Sequence, residues 1–216
     1  MSIPPPPSRA EILDFPVHVL TPAHNVAIYR ITKPQDAAGN PRDVLYFGGS
    51  GLGRFDLLGG REDDPKAVGI CYLGTTAIAC FLEKFGDLRV IPPSEVAANV
   101  LATIHVAREV KLADMCHGRV LGGFGLTAEI WTSGTYLRPQ EWARALHQAG
   151  FGGIVYGTRH DPAGQLRAVA VFGSRSANPL VVDSVNGVPE ALIQEAFAGY
   201  GLVVGEPPPW PGSARG

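Results

Sequence analysis

Short β-rich runs, each stopped by glycine or proline and interleaved with amphipathic stretches at no regular period, constrain this fold more than any other feature of the sequence. Residues 26–31 (VAIYRI) read as a strand ended by Thr32-Lys33-Pro34. Residues 44–47 read as a second strand running into the glycine-rich 48–53, and residues 68–73 as a third. Residues 153–156 and 167–172 bracket a turn over 158–164, the pattern of two strands joined by a hairpin or longer loop. Between these lie helices. Thr75 or Thr76 caps one that runs to about Phe85, in which Ile78, Phe81, Leu82 and Phe85 form a core-facing stripe at i, i+3, i+4 and i+7. Residues 139–149 form another, with Pro139 near its start and Gly150 as its C-cap. A further helix is expected within 94–112 and a short one over 190–198. A doubly wound protein would alternate strand and helix regularly, and this chain does not, so the expected class is α+β: a single compact domain with a mixed β-sheet core and flanking helices.

The 216 residues suffice for one domain with a sizeable core, whereas two domains would each be small. A Pro-rich N-terminal arm over 1–8, a body over 9–205 and a flexible tail over 206–216 divide the chain, and no internal repeat interrupts the body. With 45% hydrophobic and 18% charged residues the chain is too apolar to be disordered. Eighteen Lys and Arg against 20 Asp and Glu leave a net charge of -2, so no basic field draws nucleic acid or membrane directly. The N-terminus lacks the basic and apolar regions of a signal peptide, and no run approaches the roughly 18 apolar residues of a membrane span. A cytoplasmic protein is expected. Cys71, Cys80 and Cys116 have neither CxxC nor zinc-finger spacing, so neither a disulfide framework nor a metal site is expected.

The loop 48–53 follows a strand and is glycine-rich, yet no helical periodicity follows it, so it fails as a dinucleotide fingerprint and reads as a turn needing positive φ. There is no GxSxG elbow, and the six histidines, 18, 24, 105, 117, 147 and 160, form no ligand cluster. Arg30 and Arg54 each stand beside an aromatic or apolar strand residue; they are either snorkelling surface groups or guanidiniums that converge on phosphates. Glu83 lies off the helix stripe, in line with Thr76 and Ala79, on a face that is either solvated or walls a cleft.

In their order these segments resemble the RES domain, a family named for its Arg, Glu and Ser residues that includes the NAD+ phosphorylase toxins of Xre-RES toxin–antitoxin systems. The resemblance runs from about residue 4 to 172. It is carried by the Pro-rich lead, Tyr29-Arg30-Ile31, FGGSGLGRFD over 47–56, Tyr72-Leu73-Gly74 with Glu83 eleven positions beyond Tyr72, and GIVYGTRHD over 153–161. It implies an ADP-ribosyltransferase-like fold and a toxin that degrades NAD+ at the nicotinamide–ribose bond, with phosphate or water as acceptor, arresting growth. A mono-ADP-ribosyltransferase acting on a host protein and a catalytically weakened nucleotide-binding module are the alternatives. By the same resemblance Arg30, Glu83 and Thr158 take the catalytic positions, while Arg54, Tyr72 and Gly53 bind substrate. Glu83 would face the developing ribose cation, the arginines a phosphate, Tyr72 the nicotinamide, and the Thr158 hydroxyl the ribose or the amide. No cofactor or metal is implied beyond NAD+ as substrate and inorganic phosphate as co-substrate. The implied partner is an Xre-like helix-turn-helix antitoxin. Thr158 is where the chain departs from the family serine: it keeps the hydroxyl and adds a methyl that stiffens χ1.

Overall fold

A computed structural model describes residues 3–24, 26–36, 38–57, 68–174 and 176–206; nearly all of the expected flexible tail lies outside them. The β-branched runs join one mixed eight-stranded sheet. In spatial order its strands are β1 (Val17–Leu20), β6 (Val110–Asp114), β7 (Gly153–Gly157), β8 (Arg167–Gly173), β3 (Gly69–Gly74), β2 (Ile28–Thr32), β5 (Val100–Val106) and β9 (Leu180–Gly187). All neighbours are antiparallel except β6 and β7. A small parallel pair, β4 (Val90–Ile91) with β10 (Val203–Val204), lies apart.

Alternation along the strands sorts the core. On β3, Ile70 and Tyr72 face a cluster with Phe55, Trp142 and Tyr156, whereas Cys71 and Leu73 face a second cluster built mainly from strand residues such as Ile104, Leu112 and Val155. The first cluster is covered by α1 (Arg9–Ile12), α5 (Glu129–Thr132) and α6 (Leu137–Gln148), with Val120 of α4 (Arg119–Phe124) buried in it. A third cluster joins α2 (Ala77–Phe85), α3 (Pro93–Ala97) and α7 (Glu190–Tyr200).

The place that matters for the site is the seam between β2 and β3. The two strands share one register pair, Tyr29 opposite Gly74, and α2 leaves β3 at that point. A Cβ at Gly74 would stand 2.5 Å from the Cys80 nitrogen and 2.7 Å from the Thr76 carbonyl oxygen, so only glycine lets the strand turn so sharply into the helix. Cys80 Sγ then accepts the Ile31 N–H at 2.9 Å, replacing a ladder bond. Burial pushes its thiol up to about 12, which keeps this sulfur a neutral thiol.

Two sequence expectations are corrected. Residues 44–47 form a turn, not a strand: Asp43 Oδ1 accepts the Leu45 N–H at 2.8 Å, the Tyr46 carbonyl is taken by Arg30, and only an isolated bridge from Gly48 to Ile70 remains. The helix expected within 94–112 is confined to the single turn of α3, and the rest is β5 and β6, because Val100–Val106 is rich in β-branched residues whose stiff χ1 suits a pleated surface. The described part of the N-terminal arm lies on the body. Pro4 O accepts the Trp142 Nε1–H at 2.8 Å, and Ser8 opens α1 with a capping box to Glu11. No helix among the described residues is long and apolar enough to cross a membrane.

Candidate functional site

Thr76 caps α2, its Oγ1 accepting the Ala79 N–H at 3.1 Å, and the stripe Ile78, Phe81, Leu82 and Phe85 is buried as the spacing predicts. That orientation turns Glu83 toward the end of β7. Its Oε1 accepts the Arg159 N–H at 2.9 Å, and Tyr156 Oη donates weakly to Oε2 at 3.5 Å. The Glu83 face of the helix therefore meets the segment after β7. Its side chain is open by surface area, yet protein atoms crowd the carboxyl closely enough that burial dominates its protonation and raises its pKa. The Arg159 N–H, His160, Arg54 and the Tyr156 hydroxyl offset this in part. Burial, then the neighbouring Glu83, also raises the Tyr156 phenol well above its ordinary value, so Tyr156 stays a hydrogen-bond donor.

Arg54 stands across from Glu83 on the glycine loop. Its Nη1 donates to Ser133 O at 2.6 Å, and its guanidinium carbon lies 4.6 Å from the centre of the Tyr136 ring. Burial lowers its pKa from the ordinary arginine value; Tyr136, Tyr156 and Glu83 oppose that and the positive charge of Arg159 adds to it, so all four groups share one field. The loop itself is tied down from behind. Gly51 takes the expected positive φ of 76°. The buried Asp56 carboxylate accepts the Gly53 N–H at 2.9 Å and the Tyr72 hydroxyl at 2.9 Å, and Gln140 Nε2 donates to Gly51 O and Gly53 O at 2.8 and 2.9 Å. Tyr72 Oη accepts the Phe55 N–H in turn, so its hydroxyl is used within the protein. A Cβ on Gly53 would run into Asp56 and stand 2.6 Å from Tyr72 Oη. Gly53→Ala is therefore expected to lower stability by roughly 1–3 kcal/mol, as overpacking does, read as a fall in the urea midpoint at unchanged slope.

The structure brings Arg54, Tyr72, Gly53 and Glu83 to one face of the sheet and leaves Arg30 elsewhere. Arg30 Nη1 donates to Tyr46 O at 2.9 Å and to Cys71 Sγ, on the side of the second cluster. No hydrogen bond or ion pair joins it to Glu83 or Arg54 among the described residues. Thr158 lies beside Arg159 but is 4% exposed, and its Oγ1 is buried with no hydrogen-bond partner. Gly157, which could have made room for the extra methyl, is itself required by Trp131: a Cβ there would stand 2.6 Å from the indole Nε1. An unpaired buried hydroxyl costs about 1–3 kcal/mol. Thr158→Val is thus expected to raise the melting temperature, and a simultaneous loss of turnover would assign the hydroxyl to substrate. Unchanged turnover would remove Thr158 from the catalytic set.

Gln140 and Trp131 carry no local sequence signal, whereas Asp56, Tyr156 and Arg159 lie within the motifs over 47–56 and 153–161 but were given no role there. Asp161, the end of the second motif, accepts the N–H groups of Ala163, Gln165 and Leu166, and so shapes the loop that presents Arg159 to Glu83. The cavity of about 490 Å³ bounded by Leu82, Gly86, His160 and Tyr200 touches none of Arg54, Tyr72 and Glu83. Convergence of ionisable groups, not cavity size, marks the site.

The family model of the RES domain matches residues 27–189. Among solved structures, a chain of the crystal structure of the M. tuberculosis MbcT–MbcA toxin–antitoxin complex is similar at a TM-score of 0.60 and 19% identity, covering 88% of this chain and 96% of that one; the likeness is one of fold. No curated protein matches the chain.

Proposed function

This chain belongs to the RES domain family, and on that premise we propose that it is an enzyme that cleaves the nicotinamide–ribose bond of NAD+, as the toxin of a toxin–antitoxin pair. The observation that carries the reading is the Glu83 carboxyl, held by the Arg159 N–H and the Tyr156 hydroxyl and facing the same field as Arg54. When the bond breaks, its electron pair leaves with nicotinamide and positive charge grows on the ribose. A fixed carboxylate stabilises that charge only as it develops, which is how a binding group becomes a catalytic one. Phosphate or water then adds to the same carbon.

Arg54 is the phosphate-binding residue of this proposal. Ser133 O and the Tyr136 ring hold its guanidinium in place before substrate arrives, which lowers the entropic cost of binding. Arg30 acts on the other face, through the seam, as a positioning residue. The proposed protein partner is an Xre-like helix-turn-helix antitoxin; the similar solved chain comes from a toxin–antitoxin complex. Purified protein incubated with NAD+, with and without inorganic phosphate, tests the reading when the products are weighed by mass spectrometry. A phosphorylated ADP-ribose formed only with phosphate supports phosphorolysis, and free ADP-ribose supports hydrolysis. Label from NAD+ retained on a lysate protein identifies ADP-ribose transfer instead, and saturable NAD+ binding without product identifies a binding module.

A further inference from the structure

We infer that Trp131 is a substrate-binding residue whose indole is the wall against which the nicotinamide ring of NAD+ stacks. This role rests on NAD+ being the ligand of the site just described. Trp131 belongs to α5 and is partly exposed, its inner side packed on the first core cluster. The indole lies on the bare backbone of Gly157, where a Cβ would come within 2.6 Å of Nε1 and 2.9 Å of Cε2. Tyr156, directly before Gly157, and Arg159, two residues after it, supply the two hydrogen bonds to Glu83. Two residues beyond Trp131, Ser133 O holds the Arg54 guanidinium. The indole is therefore linked through Gly157 to the segment that holds the Glu83 carboxylate and through Ser133 to the Arg54 guanidinium.

Its chemistry fits that ring. The Trp131 Nε1–H donates to no described residue, whereas the fully buried Trp142 donates to Pro4 O. A partly exposed indole with an uncommitted N–H offers a π face and a donor together. The nicotinamide of NAD+ is a pyridinium cation, which the indole face attracts, and it leaves as a neutral ring once the bond to ribose has broken. Attraction is thus strongest before the reaction, so Trp131 strengthens substrate binding without lowering the barrier from bound substrate. The Tyr72 hydroxyl, by contrast, is already engaged by Asp56 and the Phe55 N–H, so it has no free donor to offer.

Trp131→Leu is expected to raise the KM for NAD+ roughly tenfold, within the range of a desolvated cation–π contact, and, because the contact weakens as the ring loses its charge, to leave kcat unchanged or raise it. Binding is read separately in full-length protein carrying Glu83→Gln, so that NAD+ is not consumed. There NAD+ should quench tryptophan emission, the quench should vanish with Trp131→Phe and persist with Trp210→Phe, and Trp131→Leu should weaken NAD+ binding but not ADP-ribose binding. An unchanged KM, a quench that survives Trp131→Phe, or equal losses for NAD+ and ADP-ribose would overturn the assignment. Quenching at Trp131 in a wild-type protein that never consumes NAD+ would instead overturn the cleavage reading and leave the stacking role in place. Thermal melting of the conservative Trp131→Phe variant at the wild-type temperature keeps a folding defect out of the comparison.

Discussion

Replacing Glu83 by glutamine is expected to lower NAD+ turnover by about 100- to 1000-fold, the loss seen when one preorganised electrostatic group is removed from a developing charge. Glutamine keeps the shape and can still accept the Arg159 N–H, so the fold should survive. The pH dependence gives an independent check. Because crowding raises the Glu83 pKa in the folded protein, the ionised form that catalysis needs is reached at higher pH than for an ordinary glutamate, and activity should rise with pH through that raised value. Stability runs the other way. A carboxyl whose pKa is higher folded than unfolded favours the native state fully below the unfolded value, and that contribution is lost as pH rises through the folded one. At neutral pH Glu83→Gln should therefore melt no lower than wild type, and a clearly lower melting temperature, or wild-type turnover, would remove Glu83 from the role given to it.

Arg54→Ala is expected to lower kcat/KM for NAD+ by roughly 10- to 100-fold, the equivalent of one or two charge-assisted hydrogen bonds to phosphate. Arg54→Lys should recover little of this. An ammonium cannot at once donate to Ser133 O, lie over the Tyr136 ring and present a planar fork to a phosphate, as the guanidinium can. Arg30→Ala is the informative comparison, since both arginines read alike in sequence. Its partners are Tyr46 O and Cys71 Sγ, so its loss should appear mainly in the urea midpoint, with substrate affinity changing less than for Arg54. Equal losses of affinity at the two positions would return Arg30 to the substrate side.

The stripe on α2 shows how far one-dimensional pattern reaches. Ile78, Phe81, Leu82 and Phe85 had to point inward, and by elimination Glu83 had to point elsewhere; whether it would meet water alone or hydrogen-bonding partners depended on Arg159 and Tyr156, more than seventy residues away. The same holds for strands. Residues 26–31, 68–73, 153–156 and 167–172 were legible because β-branched runs between turn residues have few other stable forms, but β9 and β1, which close the two edges of the sheet, have weaker patterns and took their place by pairing with β5 and β6. The apparent strand at 44–47 was lost for a related reason, since Arg30 and Asp43 took the backbone groups a ladder would have used.

What the sequence by itself determined is the α+β class, the inward face of α2, the glycine loop with its positive φ at Gly51, and the resemblance that singled out Glu83, Arg54, Tyr72 and Gly53. Each depends on local sterics, short-range periodicity or motif order, which the residues carry with them wherever they are placed. Only the tertiary structure decided that Arg30 faces the far side of the sheet, that the Thr158 hydroxyl is buried without a partner, that Asp56 and Gln140 tie down the glycine loop, and that Trp131 packs on Gly157. Those outcomes are set by which long-range neighbour claims each donor, acceptor and surface, a competition settled only when the sheet has formed and the helices have packed onto it.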